Sequence, residues 1–145
     1  MNKELEDLKL FIVLSRAFRA INDIANKSIA TFKLNPTEFA VLELLYHKGD
    51  IPLQQIGSKI LIASGSITYV VDKLEKKELL IRKHCAKDRR VIYAVLTAKG
   101  RELMKEIFPK HKEIMLEALS GLDSNEQKEL ITLVKKLGYH AVNLK

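Results

Sequence analysis

The N-terminal part of the chain carries an apolar side chain at every third or fourth position. This period matches one face of an α-helix and predicts a single amphipathic helix over residues 5–32. Its apolar positions are Leu8, Phe11, Leu14, Phe18, Ile21, Ala25, Ile29 and Phe32.

A second helix is predicted to begin after Asn35. Asn35 suits the N-cap, Pro36 suits the first helical position, where its missing N–H costs nothing, and Glu38 completes a capping box. Gly49 marks the end of this helix. Its buried stripe is predicted to consist of Phe39, Leu42, Leu45 and Tyr46.

The middle of the chain predicts two shorter helices followed by a hairpin. One helix spans residues 52–60, and the next runs to about Lys77 after a break at residues 63–65, with Ser64 as a candidate N-cap. The inward face of this fourth helix is Ile67, Val70, Val71 and Leu74. The apolar period then changes to two, which predicts a two-stranded hairpin of residues 80–84 and 91–96 around the basic segment 85–90.

Two further helices close the chain. Thr97 caps the fifth, in which Pro109 predicts either a kink or a division into two shorter helices. The sixth begins with a capping box of Asp123 and Glu126, or of Ser124 and Gln127. The predicted buried positions are Leu103, Ile107, Ile114 and Ala118 in the fifth helix and Leu130, Val134, Leu137, Ala141 and Leu144 in the sixth. Because neither terminal helix can bury its stripe alone, we expect them to pack together in one chain or across a homodimer axis.

The composition of the chain indicates which class of protein it belongs to. The chain has 145 residues, 47% of them apolar and 30% charged, which is typical of one globular domain and excludes a disordered or fibrous protein. With Cys85 as its one cysteine it forms no internal disulfide, which favours a cytoplasmic location. The first residues lack the charge order of a signal peptide, and the longest uncharged run, residues 60–71, is shorter than the roughly 20 residues of a membrane span.

The positive charge is concentrated in the centre of the sequence. The net charge is +7, and residues 48–101 hold 12 Lys and Arg against 5 Asp and Glu, so the flanking segments together are neutral. Such a block is typical of a surface that binds a polyanion, because counterion release rewards local density of Lys and Arg. A solvated basic face without a partner is the alternative.

The central elements follow the plan of a winged helix-turn-helix, in which the fourth helix reads double-stranded DNA and the hairpin is the wing. Polar and small residues on the outer face of that helix suit a close approach to the major groove, and the arginines of the hairpin tip suit the minor groove. The candidate DNA-binding residues are Ser64, Gly65, Ser66, Thr68, Tyr69, Lys73, Lys87, Arg89 and Arg90. Asp88 is expected to pair with a neighbouring arginine and orient it.

Four segments then carry a resemblance to a known family. They are Leu74-Glu75-Lys76-Lys77, Leu79-Leu80-Ile81-Arg82-Lys83, Asp88-Arg89-Arg90 and Leu96-Thr97-Ala98-Lys99-Gly100-Arg101. In this order and spacing they resemble the winged-helix signature of the MarR family of bacterial transcription regulators, and the similarity extends over essentially the whole chain. At Glu78 the sequence departs from the glycine that is usual in the family, which predicts either backbone strain after the fourth helix or a different ending of that helix, and leaves the direction of the wing open.

The resemblance implies a mainly α-helical fold with a small β-hairpin wing, in a single chain of residues 1–145. Residues 35–100 form the DNA-binding part, and the helices of 1–34 and 101–145 interlock in a homodimer. Two reading heads then bind a pseudo-palindromic operator, and a ligand pocket lies between the two parts. The sequence also looks similar to the subgroup that responds to quinones and phenolic compounds, which implies a repressor released by an aromatic or other apolar ligand.

A ligand crevice is expected between the first two helices, and the alternative is that the same residues are simply part of the core. Its candidates are Phe11, Phe18, Phe39, Leu42, Tyr46 and His47. A redox-responsive regulator acting through Cys85 and a basic protein-interaction module are the alternatives. The histidines show no metal-ligand spacing, and no phosphate loop, nucleophile elbow or carboxylate pair indicates an enzyme, a cofactor or a metal.

Overall fold

The computed structural model describes residues 2–60 and 67–144, and within these ranges it contains six helices and three short strands. The helices are α1 (Lys3–Ala30), α2 (Pro36–Lys48), α3 (Leu53–Lys59), α4 (Ile67–Lys76), α5 (Ala98–Ala118) and α6 (Ser124–Val142). The strands are β1 (Ile51–Pro52), β2 (Leu80–His84) and β3 (Ile92–Leu96).

The start of α2 has the predicted capping box. The Asn35 side chain accepts from the Glu38 backbone N–H at 2.8 Å, and Glu38 Oε1 accepts from the Asn35 backbone N–H at 3.0 Å. Gly49 ends the helix with a φ of 84°, a left-handed conformation that glycine adopts at low cost. The capping residues in the sequence therefore predicted both ends of this helix correctly.

The sheet has three strands instead of the predicted two. β2 and β3 form the hairpin, from Leu80 opposite Leu96 to His84 opposite Ile92, and β1 pairs antiparallel with the other side of β3. A two-residue strand has no alternating pattern that a sequence could reveal. Pro52, which lacks a backbone N–H, is compatible with this edge position.

The core lies between α2, α4, the sheet and the first half of α5. Its fully buried large apolar side chains are Val41, Leu42, Leu45, Ile56, Val71, Leu74, Leu80 and Met104. These residues hold the helix-turn-helix against the sheet, so that the outer face of α4 and the β2–β3 hairpin are displayed on a rigid support.

α5 runs through Pro109 as one helix, so the alternative of two shorter helices is wrong. Pro109 is exposed, and water can therefore satisfy the carbonyl that its missing N–H leaves without a helical partner. The buried face of α5 consists of Met104, Ile107 and His111, whereas the predicted Ile114 is 39% exposed in the single chain.

The two terminal helices leave apolar faces uncovered. No residue of α6 is buried within the described chain, and much of the apolar stripe of α1 is exposed, with Phe11 accessible to 70%. A groove of about 490 Å³ between these helices is lined by Leu10, Leu14, Leu130, Leu133, Val134, Lys136, Leu137 and His140. None of the helices in the described ranges is long and apolar enough to cross a membrane.

Candidate nucleic-acid interface and ligand cavity

α4 presents a polar face opposite its buried stripe. Val70, Val71 and Leu74 face the core, while Thr68 is exposed and Tyr69 is accessible to 64%. The Lys73 ammonium lies 5.8 Å from the centre of the Tyr69 ring. The candidates Ser64, Gly65 and Ser66 lie outside the described residues. The sequence-predicted face of α4 is therefore available to a partner from Thr68 onward.

The end of α4 is closed by Glu78 in a left-handed conformation, with a φ of 64°. The Glu78 N–H donates to the Glu75 carbonyl at 2.9 Å and the Leu79 N–H to the Leu74 carbonyl at 3.0 Å, which is a Schellman motif with glutamate in the usual place of glycine. Gly100 lies against this turn, where a Cβ atom would overlap the Leu79 carbonyl. Of the two outcomes predicted at Glu78, the strained backbone is therefore the one present.

A partly buried ion pair, which sequence reasoning missed, holds the same end of α4: its glutamate is buried and its lysine is 39% exposed. Lys77 Nζ donates to Glu38 Oε2 at 2.7 Å, and the Glu38 side chain is only 3% exposed. The sequence explained Glu38 through its capping box alone, and no local pattern indicates a partner 39 residues away.

Arg82 joins the wing to α4. From β2 its guanidinium donates to Asp72 Oδ1 at 2.6 Å and to Glu75 Oε1 at 2.5 Å, and its backbone N–H donates to Glu75 Oε2 at 3.3 Å. The hydrogen bond to Asp72 and the charges of both carboxylates raise the pKa of Arg82 despite partial burial. The two acidic residues, spaced three apart on the outer side of α4 within a basic segment, were the available sequence signal for this contact.

The tip of the hairpin carries the predicted basic residues. Lys87, Arg89 and Arg90 are exposed, and the Asp88 carboxylate accepts from the Arg90 Nε at 3.0 Å and from its backbone N–H at 3.1 Å. The hydrogen bonds from Arg90 lower the pKa of Asp88. Asp88 thus has the expected arginine partner, while its orienting role at DNA stays a prediction.

Cys85 lies half-buried at the base of this tip, where its backbone N–H donates to the Val91 carbonyl at 2.9 Å. His84 is bonded through Nδ1 to the Arg89 carbonyl at 2.9 Å. These contacts fix the backbone of the tip, and a redox role for the thiol stays a prediction.

A cavity of about 400 Å³ lies where α1 and α5 meet α2 and α3. Of the predicted ligand residues, Phe18, Phe39 and His47 line it. Phe11 does not, because it projects from the exposed first half of α1, and Leu42 does not, because it is enclosed in the core. Tyr46 is turned away from the cavity toward Phe108, with ring centres 6.3 Å apart.

Of the polar residues of the cavity, His47 was predicted from the sequence, whereas His111 and Glu43 were missed. His111 lines it beside Phe39, their ring centres 4.7 Å apart, and His111 Nδ1 is 2.9 Å from Ser28 Oγ. Burial lowers the pKa of His111 and raises the pKa of Glu43, which also lines the cavity. Both pKa shifts favour the neutral form of the side chain, the imidazole of His111 and the carboxylic acid of Glu43. Since these residues come from α1, α2 and α5, only the packing of the helices brings them together.

Among the residues that the structure describes, no group of three or more His, Cys, Asp or Glu side chains is arranged to hold a metal ion.

Comparisons with known proteins agree on one family. The model of the MarR family matches residues 34–92. The HTH-type transcriptional regulator MhqR of Bacillus subtilis (strain 168) is 61% identical over 136 residues, which cover 94% of each protein.

Two solved structures have the same fold. BpsR of Bordetella bronchiseptica, whose DNA binding is regulated by 6-hydroxynicotinic acid, is 28% identical with a TM-score of 0.75, over 87% of this chain and 90% of that one. Sco3205 of Streptomyces coelicolor, crystallised in complex with DNA, is 18% identical with a TM-score of 0.84, over 97% of this chain and 93% of that one.

Proposed function

This chain belongs to the MarR family of transcription regulators, and from that premise we propose that it is a homodimeric repressor of a pseudo-palindromic operator. As a member of this family it is a DNA-binding regulator and not an enzyme, as the sequence predicted. Its repression is relieved by a small phenolic or quinone-like ligand, and it acts in the cytoplasm, where it has access to DNA.

The single observation that carries the DNA-binding assignment is the contact of Arg82 with α4. By tying β2 to Asp72 and Glu75, Arg82 joins the polar face of α4 and the cationic hairpin tip into one surface. Its guanidinium also offsets part of the negative charge of two carboxylates that would otherwise repel phosphate. The hairpin tip then presents three exposed positive charges to a polyanion, those of Lys87, Arg89 and Arg90, and Asp88 is the negative charge beside them.

The homodimer is supported by the uncovered faces of α1 and α6. The groove between them is almost wholly apolar, and its leucines and valine are exposed although they follow a coiled-coil-like spacing. Apolar patches of this extent are rare on monomeric proteins. A second copy of the same faces would cover them and hold two α4 helices at a fixed distance, as a two-fold operator requires.

The ligand assignment is supported by the composition of the cavity. Phe18 and Phe39 provide aromatic walls, and a volume of about 400 Å³ accommodates a substituted benzene ring. Hydroxyl groups of a neutral phenol or hydroquinone can exchange hydrogen bonds with Glu43 and with Nε2 of His111. Since the cavity touches α1, α2, α3 and α5, a ligand in it can bias the spacing of the two reading helices.

The decisive experiment selects genomic DNA fragments with the purified protein and measures fluorescence anisotropy on the selected duplex and a scrambled one. Arg90→Ala should weaken both complexes about equally and reduce the salt slope by about one, because the attraction of the hairpin-tip guanidinium to DNA is mainly electrostatic and independent of sequence. Tyr69→Ala should weaken the operator complex about tenfold more than the scrambled one, because it contacts bases. Lys128→Ala on α6 is the control, with both affinities unchanged. Equal losses for the operator and the scrambled duplex in both variants would refute this division of roles.

Ligand release is tested on the same operator complex. Hydroquinone kept reduced under anaerobic conditions should dissociate the wild-type protein. Glu43→Gln should keep its operator affinity but need a higher hydroquinone concentration. Release by p-benzoquinone or peroxide that disappears in Cys85→Ser would instead favour the redox alternative.

A further inference from the structure

The ion pair of Glu38 and Lys77 links the start of α2, beside the proposed ligand cavity, to the end of α4, the proposed reading helix. Glu38 belongs to the first turn of α2, whose neighbours Pro36 and Phe39 line the ligand cavity. Lys77 directly follows α4, the predicted reading helix. The bond of 2.7 Å between Lys77 Nζ and Glu38 Oε2 is therefore a direct polar connection from the cavity wall to the end of α4.

Both oxygens of the Glu38 carboxylate are engaged. Oε1 accepts from the Asn35 backbone N–H and Oε2 accepts from Lys77. Burial raises the pKa of Glu38, but the hydrogen bonds from Lys77 and Asn35 and the charges of Lys77 and Lys73 outweigh it and lower the pKa overall. Glu38 is thus a buried anion at neutral pH, whose position is fixed because leaving a buried charge unpaired is costly.

A second capping box in the same chain shows that capping does not require this arrangement. At the start of α6, Asp123 and Glu126 make the same reciprocal bonds, at 3.0 and 2.9 Å, yet Glu126 is exposed to solvent. The burial of Glu38 and its lysine partner are therefore features added to the cap.

Other polar contacts at this end of α4 come from β2, through the bonds of Arg82 to Glu75, and from α5 and its N-cap. Lys99 Nζ donates to the Lys77 carbonyl at 3.1 Å, and Thr97 Oγ1 donates to the Glu78 carbonyl at 2.6 Å. The Lys77 bond to Glu38 adds an anchor on α2 to those on β2 and α5.

We propose that Glu38, a buried carboxylate bonded to Lys77, is a positioning residue that sets the orientation of α4 and thereby the discrimination of operator from other DNA. Contacts to base edges depend on placement within about 0.5 Å, whereas contacts to phosphates tolerate small displacements. A loosened α4 therefore loses sequence preference and keeps its general affinity for duplex DNA. This inference rests on the proposed function.

The test compares Glu38→Gln with Glu126→Gln in the full-length protein. Each substitution keeps a side-chain oxygen for the capping box and removes one negative charge, but only Glu38→Gln breaks an ion pair. Anisotropy titrations on the selected operator and a scrambled duplex, at one salt concentration, give the ratio of the two affinities. Glu38→Gln should lower this ratio about tenfold, with scrambled-duplex affinity within about twofold of wild type, and Glu126→Gln should leave it unchanged.

Lys77 variants keep the test decisive if Glu38→Gln folds poorly. Lys77→Arg retains a partner for Glu38 and should preserve the ratio. Lys77→Met should lower the ratio as Glu38→Gln does, and the double variant should lower it no further, because all three lack the same bond. Thermal melting confirms that each variant is folded at the temperature of the titration.

The outcomes separate this inference from the proposed function. If wild type fails to distinguish any selected duplex from the scrambled one, the proposed function is wrong. If wild type discriminates and Glu38→Gln and Lys77→Met discriminate equally well, or lose both affinities in proportion, Glu38 has no positioning role while the function stands.

Discussion

At the scale of single residues, the turn that follows α4, the proposed reading helix, has a strained backbone. Glu78 has a φ of 64°, where an L-residue is less stable than glycine by roughly 1–2 kcal/mol. The turn persists because Leu74 and Leu79 are buried on either side and Thr97 holds the Glu78 carbonyl. Neighbouring contacts thus determine a conformation that the residue itself disfavours.

Glu78→Gly should stabilise the protein. Relief of the left-handed penalty, less the greater entropy of glycine in the unfolded chain, leaves a gain of about 0.5–1 kcal/mol. The measurement is the midpoint of thermal unfolding at fixed protein concentration, which should rise by about 2 °C. Glu78→Ala is the control, since it removes the carboxylate but keeps the Cβ atom, and it should not reproduce the gain. An equal gain in both variants would assign the effect to charge.

At the scale of elements, the wing and α4 behave as one unit because one arginine connects them. The Arg82 side chain is 24% exposed and bonds two carboxylates of α4 that lie three residues apart. Hydrogen bonds between charged groups in such partly buried geometry are stronger than those of exposed pairs. The orientation of the hairpin relative to α4 therefore depends on Arg82 as well as on the ladder of the sheet.

Arg82→Met should loosen this unit while keeping an aliphatic side chain of similar length. The loss of the bonds should cost about 1–3 kcal/mol of stability, and the two released carboxylates should weaken binding to any duplex. The control is Lys83→Met on the same strand, which removes the same charge from an exposed position. Anisotropy at two salt concentrations and urea unfolding compare the variants, and equal behaviour of the two would contradict a clamp role for Arg82.

At the scale of the whole molecule, a single chain leaves much of the apolar surface of α1 and α6 exposed. α2, α4, the sheet and the first half of α5 enclose a core, but within the described ranges α6 contributes no buried residue and α1 is buried only near its end, at Ser28 and Ile29. A helix with an uncovered apolar stripe gains little stability by itself, because helices in water depend on packing. The proposed homodimer covers these apolar faces and at the same time brings two α4 helices into one molecule.

Leu137→Glu in α6 should prevent dimerisation. By two-fold symmetry the substitution places two carboxylates in the interface and removes two leucines, each worth about 1.5–3 kcal/mol when buried. Sedimentation equilibrium at micromolar protein should give the mass of one 16.5 kDa chain for this variant and twice that mass for wild type. Lys135→Glu, a larger charge change on α6 outside the residues that line the groove, should remain a dimer. A wild-type protein that sediments as a single chain would contradict the proposed assembly.

Local patterns in the sequence predicted most of the elements. Asn35 and Thr97 predicted two helix starts, and Asp123 was one of two caps predicted for a third. The change of apolar period predicted the hairpin, and the missing glycine at Glu78 predicted either a strained turn, which is present, or a different helix ending. These features depend on neighbours within a few residues, which a sequence displays directly. The motifs around the wing were also sufficient to suggest the family.

The remaining features depend on residues that are distant in sequence. The third strand at Ile51, the Glu38–Lys77 pair and the Ser28–His111 pair join positions 39 or more residues apart, and no periodicity encodes such a pairing. Likewise, of the predicted ligand residues, Phe18, Phe39 and His47 line the cavity, and Phe11, Leu42 and Tyr46 do not. The sequence by itself determined where helices begin and which faces are apolar. Only the packing of those faces decided which side chains meet, because burial and contact are properties of the folded chain.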